Sequence, residues 1–124
     1  MSVESKTIQY LLDNQITVST AESCTGGLLA SRFTVQAGIS QIYQSGMITY
    51  SNDAKTKYLK VSPSTLKSQG AVSRQVCSQM CFNLHKITKS QMTFSTTGVA
   101  GPGGGTKLKP VGLVFIGIYF KKNI

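Results

Sequence analysis

The chain has 124 residues and a mass of 13.3 kDa, with 40% hydrophobic residues and mean hydropathy near zero, which predicts one small globular domain over 1–124 rather than a disordered tail. No apolar run approaches ~18 residues, and Met1–Lys6 lacks a signal peptide's apolar core, so no membrane span is expected and the expected location is the cytoplasm. Thirteen Lys and Arg against four acids give a formal charge of +9, which points to anionic partners such as nucleic acid, nucleotides or phosphorylated metabolites, although singly scattered cations equally describe a solvated basic surface.

Ile8, Leu11 and Leu12 recur at helical spacing, predicting a helix over 5–14. The β-branched, alternating run 16–21 predicts a short strand. It enters the polar turn Glu22-Ser23-Cys24-Thr25-Gly26-Gly27, and Leu28, Leu29 and Phe33 then follow at helical spacing. After Gly38, residues Ile39, Ile42 and Tyr43 suggest another helical turn or two, and Met47–Ser51 a second strand. Ser51, Asn52 and Asp53 offer N-caps for a short helix over 54–59. Ser62-Pro63 starts another helix, with proline at its first position. Ser73 caps a longer helix carrying Val76, Met80, Leu84 and Ile87 on one face. A third strand is predicted at 92–97, followed by a glycine-rich loop at 98–106 and a fourth strand over Val111–Phe120, whose continuous apolar run suggests burial on both faces. Strands separated by helices point to a three-layer α/β architecture.

Three segments invite chemistry. Residues 21–27 lie at a strand's C-terminal end before a helix, where open α/β sheets gather their sites. Free amides and the helix dipole there would stabilise an oxyanion or bind phosphate near Ser23. Ala21 and Thr25 occupy the glycine positions of a G-x-S-x-G elbow, so the turn is not that motif. A nucleophilic serine needs a base. The only histidine, His85, lies inside a helical pattern far along the chain, and the only acids are Glu4, Asp13, Glu22 and Asp53. A lysine made basic by burial is the remaining common option. The candidate follows the second strand in Tyr50-Ser51-Asn52-Asp53-Ala54-Lys55, and spacing alone leaves Lys55 and Lys57 both open.

The loop 98–106 holds five glycines and a proline at the end of the third strand, where backbone amides can approach an anion. It is neither a Walker A loop nor G-x-G-x-x-G. Cys77, Cys81 and His85 recur at i, i+4 and i+8, but eight residues rise ~12 Å along a helix, too far for one ion, so no metal site is expected. Three cysteines make no disulfide framework. Nucleic-acid binding would rest on Tyr58-Leu59-Lys60 and Phe120-Lys121-Lys122 alone and is not expected.

The segments Thr20–Gly27, Tyr50–Lys55, Gly70-Ala71-Val72-Ser73, Thr97–Gly104 and Lys109-Pro110-Val111-Gly112, in order over nearly the whole chain, resemble the CinA-like family, the C-terminal domain of competence-damage-inducible proteins, which includes nicotinamide mononucleotide deamidases. The resemblance implies a three-layer α/β/α fold with a mostly parallel mixed sheet and an antiparallel fourth strand. It implies hydrolysis of the carboxamide of nicotinamide mononucleotide to nicotinate mononucleotide and ammonia, without metal or organic cofactor. In that reading Ser23 is the nucleophile and Lys55 its base, with Tyr50 and Thr97 in support. Substrate would be held by Cys24, Thr25, Gly26 and Gly27, with the amides after Ser23 meeting the oxyanion, and by Gly98, Ala100, Gly101, Gly103 and Gly104 of the loop. The partner implied is a phosphorylated nucleotide.

Family members continue past the fourth strand into a further strand, a Gly-Asp-Arg segment with an arginine for the substrate, and a C-terminal helix, whereas this sequence ends at Phe120-Lys121-Lys122-Asn123-Ile124. A domain shortened in this way would leave Val111–Phe120 as an exposed apolar edge, predicting a homo-oligomer, strand exchange or low stability. The rival expectation to the amidohydrolase is a degenerate, inactive domain that retains nucleotide binding.

Overall fold

The structure, a computed structural model, describes residues 1–122; Asn123 and Ile124 of the chain's end lie outside the described residues. The elements run α1 (Val3–Asp13), β1 (Val18–Glu22), α2 (Leu28–Thr34), a 3-10 turn (Ile39–Gln41), β2 (Tyr43–Ile48), α3 (Asn52–Leu59), α4 (Pro63–Gln69), α5 (Arg74–Thr88), β3 (Met92–Gly98) and β4 (Val114–Phe120). The sheet order is β2-β1-β3-β4. β1 pairs parallel with both β2 and β3, and β4 pairs antiparallel with β3, Phe94 opposite Ile118 and Gly98 opposite Val114. This is the mixed, mostly parallel sheet that the motifs imply.

Side chains alternate along each strand and so feed two cores. On one face Val18 packs with Ile8 and Leu11 of α1 and Phe33 of α2, and the Phe33 ring lies 5.8 Å from Tyr43 and 5.6 Å from Phe94. On the other, Ala21 packs with Leu59, Val61, Leu66, Val76, Met80 and Leu84 from α3 through α5. Fully burying a side chain such as Leu59 or Leu84 contributes about 2 kcal/mol. The helices are stopped and started by local chemistry. Ser2, Ser51, Ser62 and Ser73 each accept a main-chain N–H three residues on, and Pro63 opens α4.

Four expectations are corrected. β2 begins at Tyr43 rather than Met47 and ends at Ile48, because Val18 pairs with Tyr43 across the sheet and draws it out of the helical turn suggested for it. Thr49, Tyr50 and Ser51, expected in the strand, lead out of the sheet into α3. Ile87 is exposed, while Cys77, Cys81 and His85 join Val76, Met80 and Leu84 on the buried side of α5. β4 starts at Val114 and is not covered on both faces. α5 covers Phe115, Gly117 and Tyr119, but Val114, Ile116, Ile118 and Phe120 point to the side of α1 and α2, and Ile116 and Ile118 are 71% and 62% exposed. Among the described residues it is an edge strand.

Candidate active site

β1, β2 and β3 are parallel, so their C-terminal ends share one rim of the sheet. Ser23 leaves β1 there, its main-chain N–H donating to Thr96 O of β3 at 3.1 Å. α3 begins three residues after Thr49 and turns Lys55 back under the rim. The Lys55 side chain is 1% exposed and its Nζ lies 2.9 Å from Ser23 Oγ, 2.8 Å from Thr49 O and 3.4 Å from Tyr50 O. Lys57 lies exposed in the last turn of α3, so the fold chooses Lys55.

Burial pushes the Lys55 ammonium below its ordinary range, and among the described residues no carboxylate pairs with it. Nζ donates to Ser23 Oγ, Thr49 O and Tyr50 O, one acceptor for each N–H of the ammonium; once a proton is lost, the two carbonyls can keep the remaining N–H bonds and the lone pair faces Ser23 Oγ. Tyr50 takes part through its carbonyl; its ring is 67% exposed. The buried Thr97 hydroxyl donates to Ala71 O at 2.8 Å, on the face of β3 that α5 covers, and no hydrogen bond joins it to Ser23 or Lys55.

The N-terminus of α2, offered by the sequence as an open anion site, is filled from within. The Glu22 carboxylate accepts the Leu29 and Ala30 amides at 2.8 and 3.0 Å, the Gly27 amide at 3.3 Å and the Thr25 hydroxyl at 2.5 Å. The Gly26 amide donates to Ser23 O. Of the turn's donors, only the Cys24 and Thr25 amides find no acceptor among the described residues. The Cys24 thiol is raised by partial burial, opposed by those two amides and by the positive charge of Lys55, so it borders the same space.

Gly98 closes β3, paired with Val114. Ala100, Gly101, Gly103 and Gly104 lie in the β3–β4 connection, which is closed by the Val99, Thr106, Gly112 and Leu113 amides and tied to α4 by Lys109 Nζ on Gln69 O at 2.5 Å. Gly101 has φ +83° and its Cβ position would fall 2.5 Å from a Val111 methyl, so a side chain there would strain the loop and force Val111 to shift. No hydrogen bond joins the loop to Ser23 or Lys55. A cleft of about 420 Å³ between α3 and α4 is lined by Asn52, Asp53, Lys57 and Lys67 and does not include the Ser23–Lys55 pair.

His85 is at the other end of the sheet. Its Nδ1 lies 2.7 Å from Ser90 O, just before β3 begins, with the ring against Tyr119, so roughly a strand length of ~15 Å separates it from Ser23. Cys77 and Cys81 are buried thiols, and among the described residues no three His, Cys, Asp or Glu side chains gather as a metal site. No described helix is long and apolar enough to cross a membrane. The site residues that sequence reasoning missed are Thr49, whose carbonyl gave no signal, and Glu22, a lone acid ending a buried strand and quoted only as part of a motif.

A mixed-sheet α/β domain with a buried serine–lysine pair on the rim of its parallel strands defines the class of molecule. The chain belongs to the CinA C-terminal domain family, whose model matches residues 1–124. It is 54% identical over 116 residues to a competence-damage inducible protein of Clostridium novyi, covering 94% of this chain and 28% of that relative. It is 45% identical over 119 residues to one of Alkaliphilus metalliredigens, covering 96% and 29%. The chain therefore spans less than a third of the length of these curated relatives. The competence/damage inducible protein CihA of Agrobacterium tumefaciens superposes with a TM-score of 0.92 at 42% identity, over 95% of this chain and 72% of that one. A CinA superfamily protein of Escherichia coli gives 0.90 at 34%, over 95% and 69%.

Proposed function

We propose that the chain carries the serine–lysine site of an amidohydrolase, and that its substrate is the carboxamide of nicotinamide mononucleotide. The observation that carries this reading is the buried Lys55 Nζ, 2.9 Å from Ser23 Oγ and free of any described carboxylate. In the reaction neutral Lys55 takes the Ser23 proton as Oγ attacks the amide carbon. The oxyanion meets the Cys24 and Thr25 amides, which find no acceptor among the described residues. The lysine returns the proton to the nitrogen, the C–N bond breaks and ammonia leaves. Water, deprotonated by Lys55, then cleaves the acyl ester, releasing nicotinate mononucleotide and restoring Ser23. The chain's formal charge of +9 suits a phosphorylated substrate.

The test is ammonia release from nicotinamide mononucleotide by the purified chain. Ser23→Ala and Lys55→Ala are expected to lower kcat at least about 10³-fold. Wild-type release no faster than that of Ser23→Ala overturns the reading.

A second reading is favoured by the uncovered side of β4: a family member that binds the nucleotide without turning it over. Saturable binding of nicotinamide mononucleotide by calorimetry with no ammonia released supports it. Turnover that is lost in Lys55→Ala removes it.

A further inference from the structure

Glu22 is 1% exposed, and no step of the proposed reaction uses its carboxylate. Buried charge on that scale is retained only where it is paired or hydrogen-bonded. Here every partner is a donor from the turn that follows Ser23 or from the first turn of α2. Oε1 accepts from the Thr25 hydroxyl, the Gly27 amide and the Leu29 amide, and Oε2 accepts from the Ala30 amide. The Thr25 hydroxyl has one proton and gives it to Glu22, so the Thr96 hydroxyl, 2.8 Å away, donates to Thr25. The turn is thus pinned from β1 and from β3 together.

The main chain of Glu22 reaches the other half of the site. Its carbonyl accepts the Thr49 amide at 2.9 Å, and Thr49 O is the nearest carbonyl to Lys55 Nζ. One residue therefore holds both arms: its carboxylate fixes the turn that carries Ser23 and the Cys24 and Thr25 amides, and its carbonyl fixes the segment that holds Lys55. We propose that Glu22 is a positioning residue, whose carboxylate consumes the α2 N-terminus so that the Cys24 and Thr25 amides alone face the reacting oxygen. This rests on the serine–lysine reading given above. It follows that a substrate phosphate is not bound by the α2 amides.

The discriminating variant is Glu22→Gln. The carboxamide keeps the size but puts an NH2 where only donors converge, so at least one amide loses its acceptor. Three measurements on the full chain decide. Labelling of Ser23 by a fluorophosphonate, followed by intact mass, needs no knowledge of the substrate: Oγ bonds phosphorus, fluoride leaves and the proton passes to Lys55. It is expected to slow at least about 30-fold in Glu22→Gln. With nicotinamide mononucleotide, kcat is expected to fall by a similar factor while KM changes less than about threefold, a split that general loosening of the fold does not produce. Amide hydrogen exchange is expected to quicken at 24–30 and to stay unchanged in α5.

A folded Glu22→Gln with wild-type labelling and kcat overturns the proposal, as does unchanged exchange at 24–30. If Glu22→Gln does not fold, Glu22→Asp, which keeps the charge and shortens the reach, decides by the same readouts. Wild-type labelling without ammonia release removes the substrate and leaves the labelling comparison to judge Glu22. A wild type that neither labels nor turns over removes the serine–lysine reading itself, and exchange at 24–30 then judges Glu22 alone.

Discussion

Lys55 Nζ lies 2.9 Å from Ser23 Oγ, with its remaining hydrogen bonds made to two main-chain carbonyls and, among the described residues, none to a carboxylate. A lysine so placed loses its proton below the ordinary value of 10.5 because burial disfavours the charged form. Only the neutral amine can take the serine proton, so ammonia release is expected to rise with pH through the lowered Lys55 pKa and to level off before 10.5. A rate independent of pH over the alkaline limb sinks this assignment.

The same shift carries a stability term of known sign. Between the lowered folded value and 10.5 the unfolded chain binds the extra proton, so this group's contribution to stability rises with pH across that window. Below the window the buried charge costs stability. Lys55→Met removes the charge at similar volume, so its Tm relative to wild type is expected to be highest at neutral pH and to fall as pH approaches 10.5. A difference that does not vary with pH contradicts the linkage.

Thr49 is fully buried, and its hydroxyl has no hydrogen-bond partner among the described residues. A lone buried hydroxyl costs about 1 kcal/mol or more, and valine has nearly the same shape. Thr49→Val is expected to raise Tm by about 3 °C in a calorimetric scan. A lower Tm would show that the hydroxyl is satisfied in solution.

How much of this was legible in the sequence follows from which features are local. Ser51, Ser62 and Ser73 act as helix caps because a cap is settled within four residues of chain. The strand–turn–helix around Ser23 was legible for the same reason. Tyr43 was misplaced because its partner, Val18, is far along the chain and outweighs its local pattern. The apolar run of β4 gave no sign of which side lacks a cover, since that depends on how far α1 and α2 reach across the sheet. Lys55 and Lys57 looked alike in sequence because burial, the property that separates them, belongs to the fold. The carboxylate of Glu22 was hidden for the opposite reason. Its motif was in plain view, but which way an acid turns at the end of a strand is not written in spacing.

At Gly117 in β4, α5 lies close against the sheet. A Cβ there would overlap Ser95 Oγ and lie 3.0 Å from Cys81 Sγ and 3.1 Å from Cys77 O. Ser95 Oγ in turn donates to Cys77 O at 2.8 Å, so none of these groups can retreat without losing a bond. Gly117→Val is therefore expected to destabilise the chain by about 2–3 kcal/mol, read as a lower urea midpoint. An unchanged midpoint would show that α5 shifts freely on the sheet.

Val114, Ile116, Ile118 and Phe120 line one side of the free edge strand and continue toward an apolar groove lined by Ile8, Leu29, Phe33 and Phe94. Such an edge offers unpaired main-chain groups beside apolar side chains, the two ingredients of strand pairing between copies. The 124-residue chain is expected to sediment above its monomer mass of 13.3 kDa at about 100 µM, and the pair Ile116→Lys with Ile118→Lys to return it to that mass. Salt separates this from binding driven by the +9 charge. Added salt screens repulsion between like-charged copies and so strengthens apolar self-association, whereas it weakens attachment to DNA or RNA. Association that grows between 50 and 500 mM salt, roughly a threefold shortening of the Debye length, supports the β4 surface as its origin. A wild-type chain that stays monomeric throughout removes it.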